Sequence, residues 1–143
     1  MIFNDSVKIS GHLRIKKNGV VIFDGENLIV TDGIGLMASR MADDSDSSLT
    51  HLAIGDDTTV ASIGQTALIN ELFRSAITSK THSGAVTTYI TSLSYSDANF
   101  VWKELGMFND ATAGTMFNRV VVNINKTASD AIDIQWDITF TGA

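Results

Sequence analysis

The stretch AIDIQWDITFT, Ala131 to Thr141, constrains this chain more than any other. Ile132, Ile134, Trp136, Ile138 and Phe140 alternate without a break with Asp133, Gln135, Asp137 and Thr139. Successive side chains of a strand point to opposite faces, so a period of two marks a half-buried antiparallel strand. One apolar face must be covered, which calls for a second layer.

Other segments supply that layer. TMFNRVVVNIN, Thr115 to Asn125, is rich in β-branched residues, and its unbroken Val120-Val121-Val122 implies cover on both faces. The short polar connection from Lys126 to Asp130 predicts that this strand and the next form a hairpin. NFVWKELGMFN, Asn99 to Asn109, sets Phe100, Trp102 and Glu104 against Val101, Lys103 and Leu105. Gly106 inside that pattern signals a bulge or a close backbone approach. Asn18-Gly19 and Ser83-Gly84 each lie between β-prone runs and predict two further hairpins.

Two segments carry helical spacing. In TDGIGLMASRM, Asp32 stands as the N-cap and Ile34, Met37, Ala38 and Met41 form the apolar stripe. In TALINELFR, Thr66 stands as the cap, with Leu68 and Leu72, and Ile69 and Phe73, four apart. ADDSDSS, Ala42 to Ser48, reads as an exposed acidic loop. The expected fold is mainly β: an antiparallel β-sandwich-like single domain over residues 1–143 with two short helices. Met1 to Ser10 is expected to be an extended arm that reaches a neighbour.

Composition removes several function classes. The chain has no cysteine, so disulfides, thiolate nucleophiles and thiolate metal sites are excluded. Ten Lys and Arg against 16 Asp and Glu give a formal charge of −6. That sign gives no general pull toward phosphate backbones or anionic membrane, so neither nucleic acid nor membrane is an expected partner. The first residues, MIFNDSVKIS, hold no signal-peptide core, and no apolar run approaches the length of a membrane span. Proline is absent where roughly seven are expected, so proline-rich linkers are excluded.

The chemistry-bearing candidates each have a plainer reading. Gly55-Asp56-Asp57, followed by Thr58-Thr59, resembles the carboxylate hairpin of a two-metal polymerase. Such a site needs carboxylates from more than one strand, whereas glycine followed by Asp and Thr is the composition of a turn. Asp44, Asp46 and Ser48 fall at the first, third and fifth positions of an EF-hand loop. Leu49 then stands where glycine is required and Gly55 where a bidentate Glu is required, so the motif fails. His12, His51 and His82 are scattered without metal-ligand spacing. No nucleophile elbow, dinucleotide fingerprint or P-loop occurs. Asp133 and Asp137 share one polar strand face, which is ordinarily solvated rather than a glycosidase pair. Trp102 and Trp136 read as core anchors. No catalytic, cofactor-binding or metal-binding residue is assigned, no cofactor is expected, and the chain is not expected to be an enzyme.

The order of segments is similar to a group of small virion structural proteins of tailed bacteriophages. The likeness runs from residue 27 to residue 140 through Asn27-Leu28-Ile29-Val30, Gly55, and Thr66-Ala67-Leu68 with Glu71 and Arg74. It continues through Glu104-Leu105-Gly106-Met107-Phe108 and ends in Lys126 and Asp130 through Phe140. The E-x-G-(L/M)-F element also resembles the anchoring domain of some tail-fibre proteins. The resemblance implies a non-enzymatic capsid decoration (cement) protein located in the virion. Its implied partners are major capsid or tail proteins, and it is implied to be a homo-oligomer. The alternative is a tail, collar or baseplate accessory protein, or a host-surface carbohydrate-binding module presenting Tyr89, Tyr95 or a Trp. A tail fibre would continue into a shaft after such a domain, whereas this sequence stops after TFTGA, which favours decoration.

Overall fold

The strand with the strict alternation is the centre of the molecule's first sheet. A computed structural model describes residues 5–142. In it β10 (Ile132–Gly142) lies between β1 (Val7–Lys17) and β7 (Val86–Leu93), both antiparallel to it. β2 (Val20–Glu26) and β6 (Ser79–Ser83) close the two edges, giving the order β2-β1-β10-β7-β6. The second sheet has the order β3-β9-β8-β4-β5. Its strands are β3 (Leu28–Ile29), β4 (His51–Gly55), β5 (Glu71–Ala76), β8 (Val101–Phe108) and β9 (Asn118–Asn125). The mainly β, two-sheet architecture matches the expectation from the sequence.

Leu13, Ile15, Ile132, Ile134, Trp136 and Ile138 from the first sheet share one buried cluster with Leu52, Ile54, Trp102, Leu105, Val120, Val122 and Ile124 from the second. The polar partners on β10 face outward: Asp133 accepts from the Ser92 hydroxyl and Asp137 from the Thr88 hydroxyl, each at 2.8 Å. The second sheet is covered on its other side too. Val30, Ala53, Leu68, Phe108 and Met116 form a smaller buried cluster there, beneath the segment that joins β4 to β5. This double cover accounts for the unbroken apolar run Leu52–Ile54, whereas in Val120–Val122 the outer two enter the main cluster and Val121 is half-buried.

Both short hairpins form. Asn18 and Gly19 take φ of 50° and 82°, the two left-handed positions of a tight turn between β1 and β2. β6 and β7 turn one residue later than Ser83-Gly84 suggests, through Gly84 at φ 56° and Ala85.

Four expectations are corrected. First, β9 and β10 are not a hairpin: they lie in different sheets. The Lys126–Asp130 link is an arch across the sandwich. The Lys126 amide donates to the Phe100 carbonyl, its Nζ to the Asn99 side chain at 2.7 Å, and the Asp130 carboxylate caps the Thr127 amide at 2.9 Å.

Second, among the described residues there is one helix, α1 (Thr31–Met41), and TALINELFR is not another. The amides of Ile69 and Asn70 bond to the Glu104 carboxylate instead of to helical carbonyls. Glu71–Ala76 is β5, paired with β4.

Third, Asp32 is not the N-cap. Extended Val30 holds that position, its amide on the Phe117 carbonyl, and Asp32 lies in the first turn, where it complements the helix dipole. The fully buried residues of α1 are Gly33 and Leu36; of the expected stripe Met37 packs half-buried against the core, while Ile34, Ala38 and Met41 are exposed. Gly33 packs so closely on the Phe117 carbonyl that no Cβ would fit. Ile34 is left 52% and Met41 91% exposed.

Fourth, within the expected arm, Val7–Ser10 are the start of β1, paired with Thr139–Gly142. A full set of ladder bonds there is stronger than a free extended segment. The part of that arm before residue 5 lies outside the described residues.

Candidate functional site

Glu104 and Arg119 are both fully buried on the side of the second sheet away from the main core. A register shift between Trp102 and Glu104 explains how a strand residue next to core positions comes to be there. Trp102 and Leu105, three apart, both enter the main cluster, which simple alternation forbids. Glu104 is thereby turned toward the segment Asp56–Asn70. Its Oε1 accepts from the Ile69 amide at 2.7 Å and from Arg119 Nε at 3.3 Å. Its Oε2 accepts from the Asp57 and Asn70 amides at 3.0 and 3.1 Å. Arg119 completes the node by donating to the Thr59 carbonyl at 2.6 Å and, at 3.4 Å, to the Asp57 carbonyl and the Gln65 side chain. Every oxygen of the carboxylate is used and both charges are paired, the condition for burying them. The node is structural: it pins a 15-residue connection (Asp56–Asn70, counted from the sequence) onto the sheet.

This resolves the Gly55-Asp56-Asp57 motif. Gly55 is required because a Cβ would overlap the Asn70 carbonyl oxygen and sit 2.8 Å from Glu104 Cγ. The two aspartates serve through backbone and turn contacts. Asp56 accepts from the Asn70 side chain, and Asp57 Oδ1 accepts from the Thr59 amide at 2.7 Å. The Thr59 hydrogen bonds hold the Asp57 carboxyl below its ordinary range.

The other candidates are dispersed. His12 pairs with Asp24 on the outer face of the first sheet, and His51 Nδ1 lies 2.8 Å from the Thr50 hydroxyl. His82 is exposed on β6. Asp44 accepts from the Ser45 amide, and Ser48 accepts from Lys80 at 3.0 Å. Among the described residues no three of His, Asp and Glu are placed to hold a metal ion. Trp102 and Trp136 are buried, and the Trp136 indole N–H donates to the Asn27 side chain. Of the tyrosines, Tyr95 is exposed.

Tyr89 instead lines an apolar groove that sequence reasoning missed. At the Phe140 end of the first sheet the inner face meets α1, which leaves an opening of about 400 Å³. Met37, Met41, Leu49, Tyr89, Ile138 and Phe140 line it, with Arg40 at the rim. Burial pushes the Tyr89 hydroxyl pKa up. The volume is within the range of ligand or side-chain pockets. The only sequence signal was the excess of apolar residues on α1 over what one packing face can bury.

The chain matches no protein-family model, no curated protein and no solved structure. Among the described residues no helix is long and apolar enough to cross a membrane.

Proposed function

We propose that this chain is a non-enzymatic structural protein of a tailed-bacteriophage virion, used as a capsid decoration protein that binds major capsid or tail proteins. One observation supports the reading beyond the resemblance itself: many of the residues that carry the resemblance do architectural work. Asn27 bridges the sheets, its Oδ1 accepting from Trp136 and from Asn118. Glu71 and Arg74 pair at 2.6 Å, and Arg74 also stacks on Phe108 and donates to the Asp110 and Ala113 carbonyls. Gly106 lets β8 approach the Asn118 carbonyl, where a Cβ would lie 2.6 Å from the oxygen. Lys126 and Asp130 build the arch. A motif set spent on pinning loops to a sandwich suits a protein selected for shape and stability in many copies.

The test is quantitative mass spectrometry of purified particles, reading copies of this chain per major capsid protein. A ratio near one to one, or another fraction set by the capsid lattice, is expected. A few copies per hundred would move the protein to the tail, and absence from the particle would refute the virion reading.

A further inference from the structure

The groove between α1 and the first sheet is apolar along its body and cationic at its mouth. Leu36, Leu49, Phe117, Ile138 and Phe140 line the body. The first four are 5%, 4%, 2% and 2% exposed, so packed side chains rather than a loop set its shape. Met37 and Met41 complete the helix side, and methionine adapts its shape to what lies against it. An opening of about 400 Å³ is the size of a site for a small ligand.

One cation stands on each side of the mouth. Lys80 lies opposite Tyr89 in the β6–β7 ladder, so both side chains leave the same face of the sheet. Lys80 Nζ donates to the Ser48 hydroxyl at 3.0 Å and to the Leu49 carbonyl at 2.9 Å, which sets its ammonium against two lining residues. Arg40 stands on the helix side, where one of its nitrogens donates to the Asp46 carbonyl at 2.8 Å. Among the described residues neither cation enters an ion pair. Burial raises the pKa of the Tyr89 hydroxyl, so it stays a protonated donor at neutral pH. Asp43, Asp44 and Asp46 lie on the exposed stretch after α1, yet none of the three lines the opening. Their charge is in solvent, where salt screens it over about 10 Å.

We propose that the groove binds a single-chain amphiphile with an anionic head, a monocarboxylate of the fatty-acid type. Its apolar chain fills the body, and its carboxylate sits at the mouth between Arg40 and Lys80, with the Tyr89 hydroxyl as a further donor. Burial of the chain supplies most of the affinity. The guanidinium and ammonium supply charge-assisted hydrogen bonds and so choose the head. The overall charge of −6 does not draw an anion from a distance, so recognition is by contact at the mouth. The inference concerns a ligand of this domain and does not rest on the virion reading.

Titration of the full chain, labelled at its methionine methyl groups and followed by NMR, tests it. Octanoate, octanol and octylammonium serve as probes, with one tail and three heads. Octanoate is expected to shift the Met37 and Met41 methyls to saturation, with a dissociation constant of about 1 mM or tighter. Met116, buried on the far side of the second sheet, is expected to stay still. Octanol should bind more weakly, and octylammonium more weakly again. Arg40 is exposed, so Arg40→Gln should fold as wild type does and weaken octanoate about fivefold while leaving octanol unchanged. Should that variant misfold, Lys80→Gln is read in the same way. Shifts that fail to saturate, or that reach Met116 equally, would overturn the proposal. So would octanol or octylammonium binding as tightly as octanoate, or a folded variant that binds octanoate like wild type.

Discussion

Replacing Glu104 with Gln tests whether the buried node holds the Asp56–Asn70 connection. The carboxylate accepts three backbone amides and Arg119. Gln offers one oxygen, so its amide group must face at least one amide donor, and Arg119 is left charged and buried. Removing one partner of a buried pair costs about 3–5 kcal/mol, and one orphaned amide about 1–3 kcal/mol. The two costs overlap, because the same relaxation relieves both, so we expect a total of about 4 kcal/mol. For a domain of this size that is a fall in Tm of roughly 10–15 °C. Urea unfolding followed by the fluorescence of the two buried tryptophans measures it. Amide exchange locates it: Asp57, Ile69 and Asn70 should lose protection ahead of the β1–β10 ladder. Adding Arg119→Met removes the stranded charge, so the double variant should be less destabilised than the two single losses summed. A loss under about 1 kcal/mol with unchanged protection at Ile69 would refute the reasoning.

Three further outcomes are expected. Gly55→Ala, driven against the Asn70 carbonyl and Glu104, should cost about 2 kcal/mol, whereas Gly64→Ala, which meets nothing within 4 Å, should stay within about 0.5 kcal/mol in the same urea assay. Trp136→Phe removes one of the two donors to Asn27 Oδ1, in a side chain whose Nδ2 is already buried without a partner, and should cost about 2 kcal/mol by thermal unfolding. Asp57, Asp97 and Asp130 are held below the ordinary 3.8 chiefly by hydrogen bonds from Thr59, Ser94 and Thr127. Their contribution is present above 3.8 and is lost as pH falls through that value toward their folded pKa, so the urea midpoint should drop there and Asp130→Asn should make the drop shallower.

The local pattern of the sequence determined what each segment could be. Unbroken alternation made Ile132–Phe140 a strand with one wet face, and Asn18-Gly19 made a tight turn, because both depend only on neighbours along the chain. Tertiary structure decided the rest. Alternation records which face is apolar but not which strand lies alongside, so the short Lys126–Asp130 link looked like a hairpin and is an arch between sheets. Leu68, Leu72, Ile69 and Phe73 have helical spacing, yet a carboxylate 34 or 35 residues away captures the amides that a helix would need. Alternation set Glu104 on the same face as Phe100 and Trp102, whereas one register shift, invisible in composition, reverses which side of β8 it occupies. The stripe on α1 was correctly seen as apolar. Only the packing of α1 in the tertiary structure, with Gly33 against the Phe117 carbonyl, decided that Met37 would reach the core while Ile34 and Met41 stay exposed.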